Sequence, residues 1–136
     1  MELDLAAANR VIEACIVEGR AVGRNFSIVV VDAAGTFTSA QRMDGAAILS
    51  PQIAWGKAYG CAAFRRDGPQ LAQMASNTAF VSSLIQITGG RFVAALGAAR
   101  LMDGEKVLGA VGVSGAAPEQ DQQLAEAGAR AFQREA

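Results

Sequence analysis

The 136-residue chain contains no histidine. A Ser-His-Asp triad, a Cys-His pair, a His-ligated zinc and a proximal-His heme are therefore excluded within the chain. Charge of either sign is also scarce in excess: 12 basic residues stand against 13 acidic ones, for a net charge of −1. That balance argues against a broad phosphate-binding surface, and the reading is no nucleic-acid partner. The arginines are scattered, and only Arg65 and Arg66 are adjacent, with Asp67 directly after them. No 18-residue apolar run exists, so no membrane span is expected. Proton chemistry is left to Asp, Glu, Lys, a single Tyr and two thiols.

What the chain does have is small apolar residues. Half of it is hydrophobic, which suffices to bury one core, so residues 1–136 read as a single domain. Alanine and glycine make up roughly a third of the chain without a collagen-like period. Such residues let helices and strands approach closely and leave flat surfaces through which subunits can pair. Cys15 and Cys61 are solitary and lie in helical patterns. They read as small core residues in a reducing compartment, not as a disulfide. The N-terminus carries Glu2 and Asp4 and no basic segment, which does not read as a signal peptide. A cytoplasmic location is expected.

Apolar residues at Leu5, Ala8, Ile12, Cys15 and Gly19 predict a first helix, capped by Asp4 and stopped at Gly23. Ser27 to Asp32 and Thr36 to Arg42 predict a hairpin around Ala33-Ala34-Gly35. Ser50-Pro51 predicts a helix start with Ser50 as N-cap, running to about Phe64 and presenting Ala54, Ala58 and Cys61 on one face. A short helix follows Asp67-Gly68-Pro69, and a strand is expected near Ile85–Thr88. Asp103-Gly104 predicts a two-residue turn into a strand from Lys106 to Ser114. In that strand Val107, Val111 and Val113 share one face; Leu108, Ala110, Gly112 and Ser114 share the other. Pro118 opens a last helix with Glu119 and Asp121 in its first turn. Antiparallel hairpins with segregated helices imply an α+β fold.

Two familiar constellations fail. Gly109, Gly112 and Gly115 lack the dinucleotide-binding spacing and a surrounding βαβ unit. Ser114 stands outside a G-x-S-x-G elbow and has no histidine to activate it. More promising are Arg42, Asp44, Ser50 and Lys57, which close a strand, occupy a turn and open a helix. They are expected to converge on one rim with two cations, helix-N-terminal donors and a carboxylate, suited to a small anionic ligand. The structural alternative is a network in which Asp44 caps a turn and Lys57 is solvated or paired. Trp55 and Tyr59, four apart, share a helix face and with Phe64 line an apolar pocket, an interface or plain core.

Several ordered blocks carry a resemblance. Val30-Val31-Asp32-Ala33-Ala34-Gly35, Arg42-Met43-Asp44-Gly45-Ala46, Ser50-x-x-Ile53-Ala54-x-x-Lys57-Ala58, and Gly109 through Gly115 with Gln120-Asp121 resemble the GlcG/HbpS-like heme-binding family. Its relatives include the C-terminal domain of PduO-type proteins, and the likeness covers about residues 3 to 132. It implies a profilin-like or PAS-like α+β fold, with an antiparallel five-stranded sheet flanked by helices. It also implies homo-oligomers, from dimers to octamers. Some members bind heme or promote its breakdown; others belong to the catabolism of glycolate, propanediol or aromatic compounds. The family's recurrent polar residues fall on Asp32, Arg42, Asp44, Ser50, Lys57, Ser114 and Asp121. They draw the Arg42 rim and the Gly112 face into one expected ligand site.

The chain departs from the family at Gly97-Ala98-Ala99-Arg100, where many relatives carry Gly-Gly-x-Pro. It also offers no histidine to iron, leaving Met43, Met74, Met102, Tyr59, a cysteine or a hydroxyl. The leading expectation is accordingly a cofactor-free, metal-free catabolic enzyme isomerising, hydrating or hydrolysing a carboxylate-bearing metabolite. Arg42, Lys57 and Ser50 would bind the substrate beside Gly112 and Ser114, with Asp44 or Asp121 as proton acceptor. The alternative is a heme or tetrapyrrole carrier, sensor or heme-degradation protein; a further one is a non-catalytic accessory subunit.

Overall fold

A computed structural model describes residues 1–134. The elements run α1 (Leu5–Val22), β1 (Ser27–Asp32), β2 (Phe37–Arg42), α2 (Ser50–Phe64), α3 (Gly68–Met74), α4 (Thr78–Ile87), β3 (Ala98–Asp103), β4 (Lys106–Ser114) and α5 (Pro118–Arg134). The strands form an antiparallel sheet in the order β2-β1-β4-β3. The fold is α+β, as expected.

The expected fifth strand is not formed among the described residues. Between α4 and β3 the chain turns at Gly89-Gly90 and runs on without regular structure, and Val93 donates its amide to the carbonyl of Gly56 at 3.3 Å. That bond ties the segment to α2, and the segment meets the sheet only at its last residue, where Gly97 accepts the Val113 amide at 2.8 Å just before β3 begins. The strand expected near Ile85–Thr88 is also corrected: these residues end α4, whose N-cap Asn77 accepts from the Phe80 amide. Val81, Leu84 and Thr88 recur at helical spacing, and Leu84 is the buried one. The alternation of Ile85 and Ile87 suggested a strand, yet both are exposed.

Local chemistry explains the termini. Asp4 accepts from the Ala7 amide at 2.8 Å, and Gly23 closes α1 in the left-handed region at φ 79°. Asp32 Oδ1 accepts from the amides of Ala34 and Thr36, both at 2.9 Å, and so shapes the first hairpin turn. In the second hairpin Asp103 pairs with Lys106, which moves the turn one residue on, to Gly104-Glu105. The register shifts between Leu101 and Met102, which leaves Leu108 as the extra residue of β4. Leu108 thereby packs on the side of Val111 and Val113 and not with Ala110 and Gly112.

The sheet has helices on both faces. On one, α1 and α5 pack Val11, Ile12, Phe132 and Leu124 against Ile28, Val30, Val111 and Val113. On the other, α2 lays Ala54, Ala58 and Cys61 on Val29, Val31 and Ala110. Cys15 belongs to the first core and Cys61 to the second, so both thiols are buried and free. Burial pushes the Cys15 thiol up to about 12, and raises Cys61 as well.

Candidate functional site

The residues expected on one rim divide into an outer and an inner group. Arg42 and Asp44 are exposed and line a cleft of about 380 Å³ with Arg20, Asn25 and Gln41, beyond the C-terminal end of β2. Arg42 is already engaged, donating from Nε and Nη2 to the carbonyl of Ala46 at 3.2 and 2.5 Å. Ser50, Lys57, Gly112, Ser114 and Asp121 are all buried, on the α2 side of the sheet and at the start of α5.

Lys57 and Asp121 form an internal ion pair. Lys57 Nζ donates to Asp121 Oδ2 and to the carbonyl of Val113, each at 3.0 Å, with both residues 4% exposed. Asp121 Oδ1 accepts the Ala116 amide at 3.1 Å. Burial raises the Asp121 pKa, with Lys57 and backbone donors pulling against that rise. The pair ties α2, the end of β4 and the first turn of α5 together. Lys57's charge is matched inside the protein and Arg42 lies outside it, so the two cations do not form a common anion clamp.

Ser50 does not cap α2. Its residue is already helical, Leu49 holds the cap position, and the hydroxyl bonds Ser27 Oγ at 2.8 Å and the Ala47 carbonyl at 2.6 Å. The Ser-Pro signal located the helix start correctly but assigned the hydroxyl to the wrong partner. At Gly112 the expected open face is filled: a Cβ there would sit 2.0 Å from the Ala54 carbonyl oxygen and 2.6 Å from the Ala58 nitrogen. Glycine is present because the α2 backbone rests on the strand. Ser114 is buried beside it, paired in register with Ser27.

The roomier surface lies at the other end of α2. A cleft of about 440 Å³ is lined by Phe64, Arg66, Gln70, Gln73 and Met74. Phe64 makes edge-on ring contacts with Phe80 at 6.5 Å and Phe92 at 5.7 Å. Phe92 also walls a neighbouring cleft of about 340 Å³ with Val81 and Ile85 from α4. Phe80, Ile85 and Ile87 are exposed large hydrophobics on this flank. Sequence reasoning noted Phe64 and Met74 separately; mistaking the end of α4 for a strand hid their common neighbourhood.

Two other pairings were missed. Asp67 receives the backbone amide and Nε of Arg100 at 2.9 and 3.0 Å, tying the start of α3 to β3. Arg100 thus has a structural partner in Asp67. Arg91 lies over Trp55 and Tyr59, 5.3 and 5.6 Å from the ring centres.

A family model described as haem degrading protein HbpS-like matches residues 3–130. The chain belongs to the HbpS-like family. It is 36% identical over 126 residues to a 15.0 kDa protein of Citrobacter freundii from the dhaT-dhaS intergenic region, covering 91% of this chain and 87% of that one. Among solved structures, Klebsiella pneumoniae protein ORFY superposes with a TM-score of 0.88 at 28% identity, over 98% of this chain and 92% of that one. Streptomyces reticuli HbpS, as a double mutant, superposes with a TM-score of 0.83 at 28% identity, over 96% and 86%. A PduOC–heme complex shares the fold, with a TM-score of 0.86 at 24% identity over 96% and 95%.

Within this HbpS-like chain the iron donors narrow. Both thiols are buried and hard to ionise, which removes them as accessible thiolates. Met43 Sδ accepts the Phe26 amide at 3.4 Å and stands 3.4 Å from a Cβ built at Gly19. Met74, in contrast, lines an open cleft beside an arginine and an aromatic ring. A thioether is a known axial donor to heme, and an arginine suits a propionate. The donor set of the α3–α4 flank is compatible with a tetrapyrrole.

Proposed function

We propose that this chain is a heme- or tetrapyrrole-binding member of the HbpS-like family, with the ligand seated on the α3–α4 flank. The observation that carries the reading is the family match over residues 3–130 together with a cleft that joins Met74, Arg66 and Phe64. The names of HbpS-like relatives and the PduOC–heme complex support the ligand class. Met74 would offer its thioether to iron, Arg66 would pair with a propionate, and Phe64 with the exposed α4 residues would cover the macrocycle. Bound there, the heme would supply ligand-binding or redox chemistry at its iron. The polypeptide's part is to hold it and shield one face.

The carboxylate-metabolite enzyme is not carried forward, because Lys57 is matched by Asp121 and Gly112 is covered by α2. Homo-oligomerisation belongs to the proposal and is supported by the exposed Phe37, Ile48 and Leu49. A cytoplasmic setting is supported by two unpaired thiols; no described helix is long and apolar enough to cross a membrane.

Hemin titration tests the central point. A saturable Soret band is expected, with affinity weakened about tenfold or more by Met74→Ala. A featureless, non-saturating titration of the folded protein overturns the proposal. A Met74→Ala titration identical to wild type overturns the assignment of the ligand.

A further inference from the structure

The sheet ends in two edge strands, β2 and β3, and only one of them is covered. Along β3 the outward main-chain groups are taken by side chains. Gln122 Oε1 accepts from the amides of Gly97 and Ala98 at 2.8 and 3.1 Å, and its Nε2 donates to the Ala98 carbonyl at 3.0 Å. Asp67 Oδ1 accepts the Arg100 amide at 2.9 Å, and Gln133 Nε2 donates to the Met102 carbonyl at 3.2 Å. Another strand could add there only by displacing all three side chains.

The β2 edge has no such cover. Met43 donates its amide to the Phe26 carbonyl at 2.9 Å, so the alternate residues Gln41 and Ser39 also face β1. Ala40 and Arg42 therefore turn their amides and carbonyls outward. Among the described residues, nothing outside the β1–β2 ladder bonds those groups. Ala40, Gln41 and Arg42 are exposed, and β2 carries neither the proline nor the lysine that commonly blocks a free edge. Its register shift lies at the other end, near Phe37, and leaves Ser39 to Met43 regular. Arg42 clasps the Ala46 carbonyl, and the loop so held carries Ile48 and Leu49, 85% and 60% exposed.

The regular stretch is centred on Gln41, and a second copy complements it. Laid antiparallel about a two-fold axis at Gln41, Ala40 faces Arg42 of the partner subunit on each side of the axis, and each such pair exchanges both main-chain bonds. No like charges face each other. The Gln41 amides meet at the axis, where each can donate and accept.

We propose that β2 is the contact between copies of this chain, pairing with itself about Gln41 to join two sheets into one. The contact rests on the homo-oligomerisation proposed above and gives it a location. It leaves the α3–α4 flank, whose occupancy is read by the Soret band, untouched.

Sedimentation velocity of the full chain over a concentration series tests it. Wild type should associate. Gln41→Lys and Gln41→Glu set like charges face to face, and each should weaken association about fivefold or more. An equimolar mixture of the two should recover it. Gln41→Cys should give a disulfide-linked dimer with diamide, because residues so paired stand about 4.5 Å apart at Cα, within disulfide reach. Both native thiols are buried and do not compete. Far-UV circular dichroism should match wild type throughout; should a charge variant fail to fold, the crosslink decides. A wild type that stays monomeric overturns the homo-oligomerisation and this contact together. An oligomer that both charge variants leave intact, or that Gln41→Cys does not crosslink, overturns the contact alone. Variants that dissociate without recovery on mixing overturn the two-fold pairing at Gln41.

Discussion

The two faces of the sheet are packed by different means. Against α1 and α5, the sheet presents Ile28, Val30, Val111 and Val113 to side chains such as Ile12 and Leu124. Against α2 it presents Val29, Val31, Ala110 and Gly112 to alanines, and at Gly112 the helix main chain itself is the neighbour. A layer of branched side chains can rearrange by rotamer changes; backbone seated on backbone cannot. The α2 face also carries the buried Lys57–Asp121 pair, whose partners are fixed by three elements. The close approach thus explains why the alanines, the glycine and the ion pair occur together. It also explains why Lys57, Gly112 and Asp121 are taken up by packing and pairing, while Arg42 and Asp44 stay exposed beside a cleft.

Three changes put this contrast to the test. Lys57→Met should be the most damaging, because it leaves the Asp121 carboxylate buried without its cation; about 3–5 kcal/mol should be lost in chemical denaturation. A loss under 1 kcal/mol would mean that the α2 face does not depend on the pair. Gly112→Ala should cost about 1–3 kcal/mol or more, since the added methyl meets the Ala54 carbonyl and not a movable side chain. On the other face Leu124→Met should cost less than about 1.5 kcal/mol, because volume is conserved and its neighbours can repack. A Leu124→Met loss equal to that of Gly112→Ala would erase the contrast.

A subtler probe is pH. Burial raises the Asp121 pKa above its ordinary 3.8. A carboxyl with a raised folded pKa binds protons more readily when folded. Its contribution to stability is therefore complete below 3.8 and is lost as pH rises through the raised value. Denaturation at stepped pH should show this slope in the native sequence and a shallower one in Asp121→Asn; identical slopes would remove Asp121 as its source.

Much of the scaffold was legible from residue order alone. Asp4 and Gly23 bracket α1, and the β-branched run at Ser27–Asp32 makes one of the two interior strands, because caps and β-propensity act over a few residues. Misreadings arose where local and distant signals compete. Ile85 and Ile87 alternate like a strand, but Val81 and Leu84 turn the segment into a helix. The candidate residues were harder. Sequence placed Arg42, Asp44, Ser50 and Lys57 within one stretch, yet whether their side chains meet depends on which face each element buries.

The absence of histidine acted at both levels. Read from the sequence, it excluded whole classes of chemistry and left thioethers, a phenol and thiols as donors to iron. The sequence also carried the family, through its ordered blocks of matching residues, and it determined the α+β class and most element boundaries, which follow from local propensity and periodicity. Only the tertiary structure decided that both thiols are sealed in separate cores, that Lys57 is neutralised by Asp121 sixty-four residues away, and that Met74 borders an open cleft. Burial, pairing and accessibility are properties of neighbours, and those neighbours are set by packing across long stretches of chain.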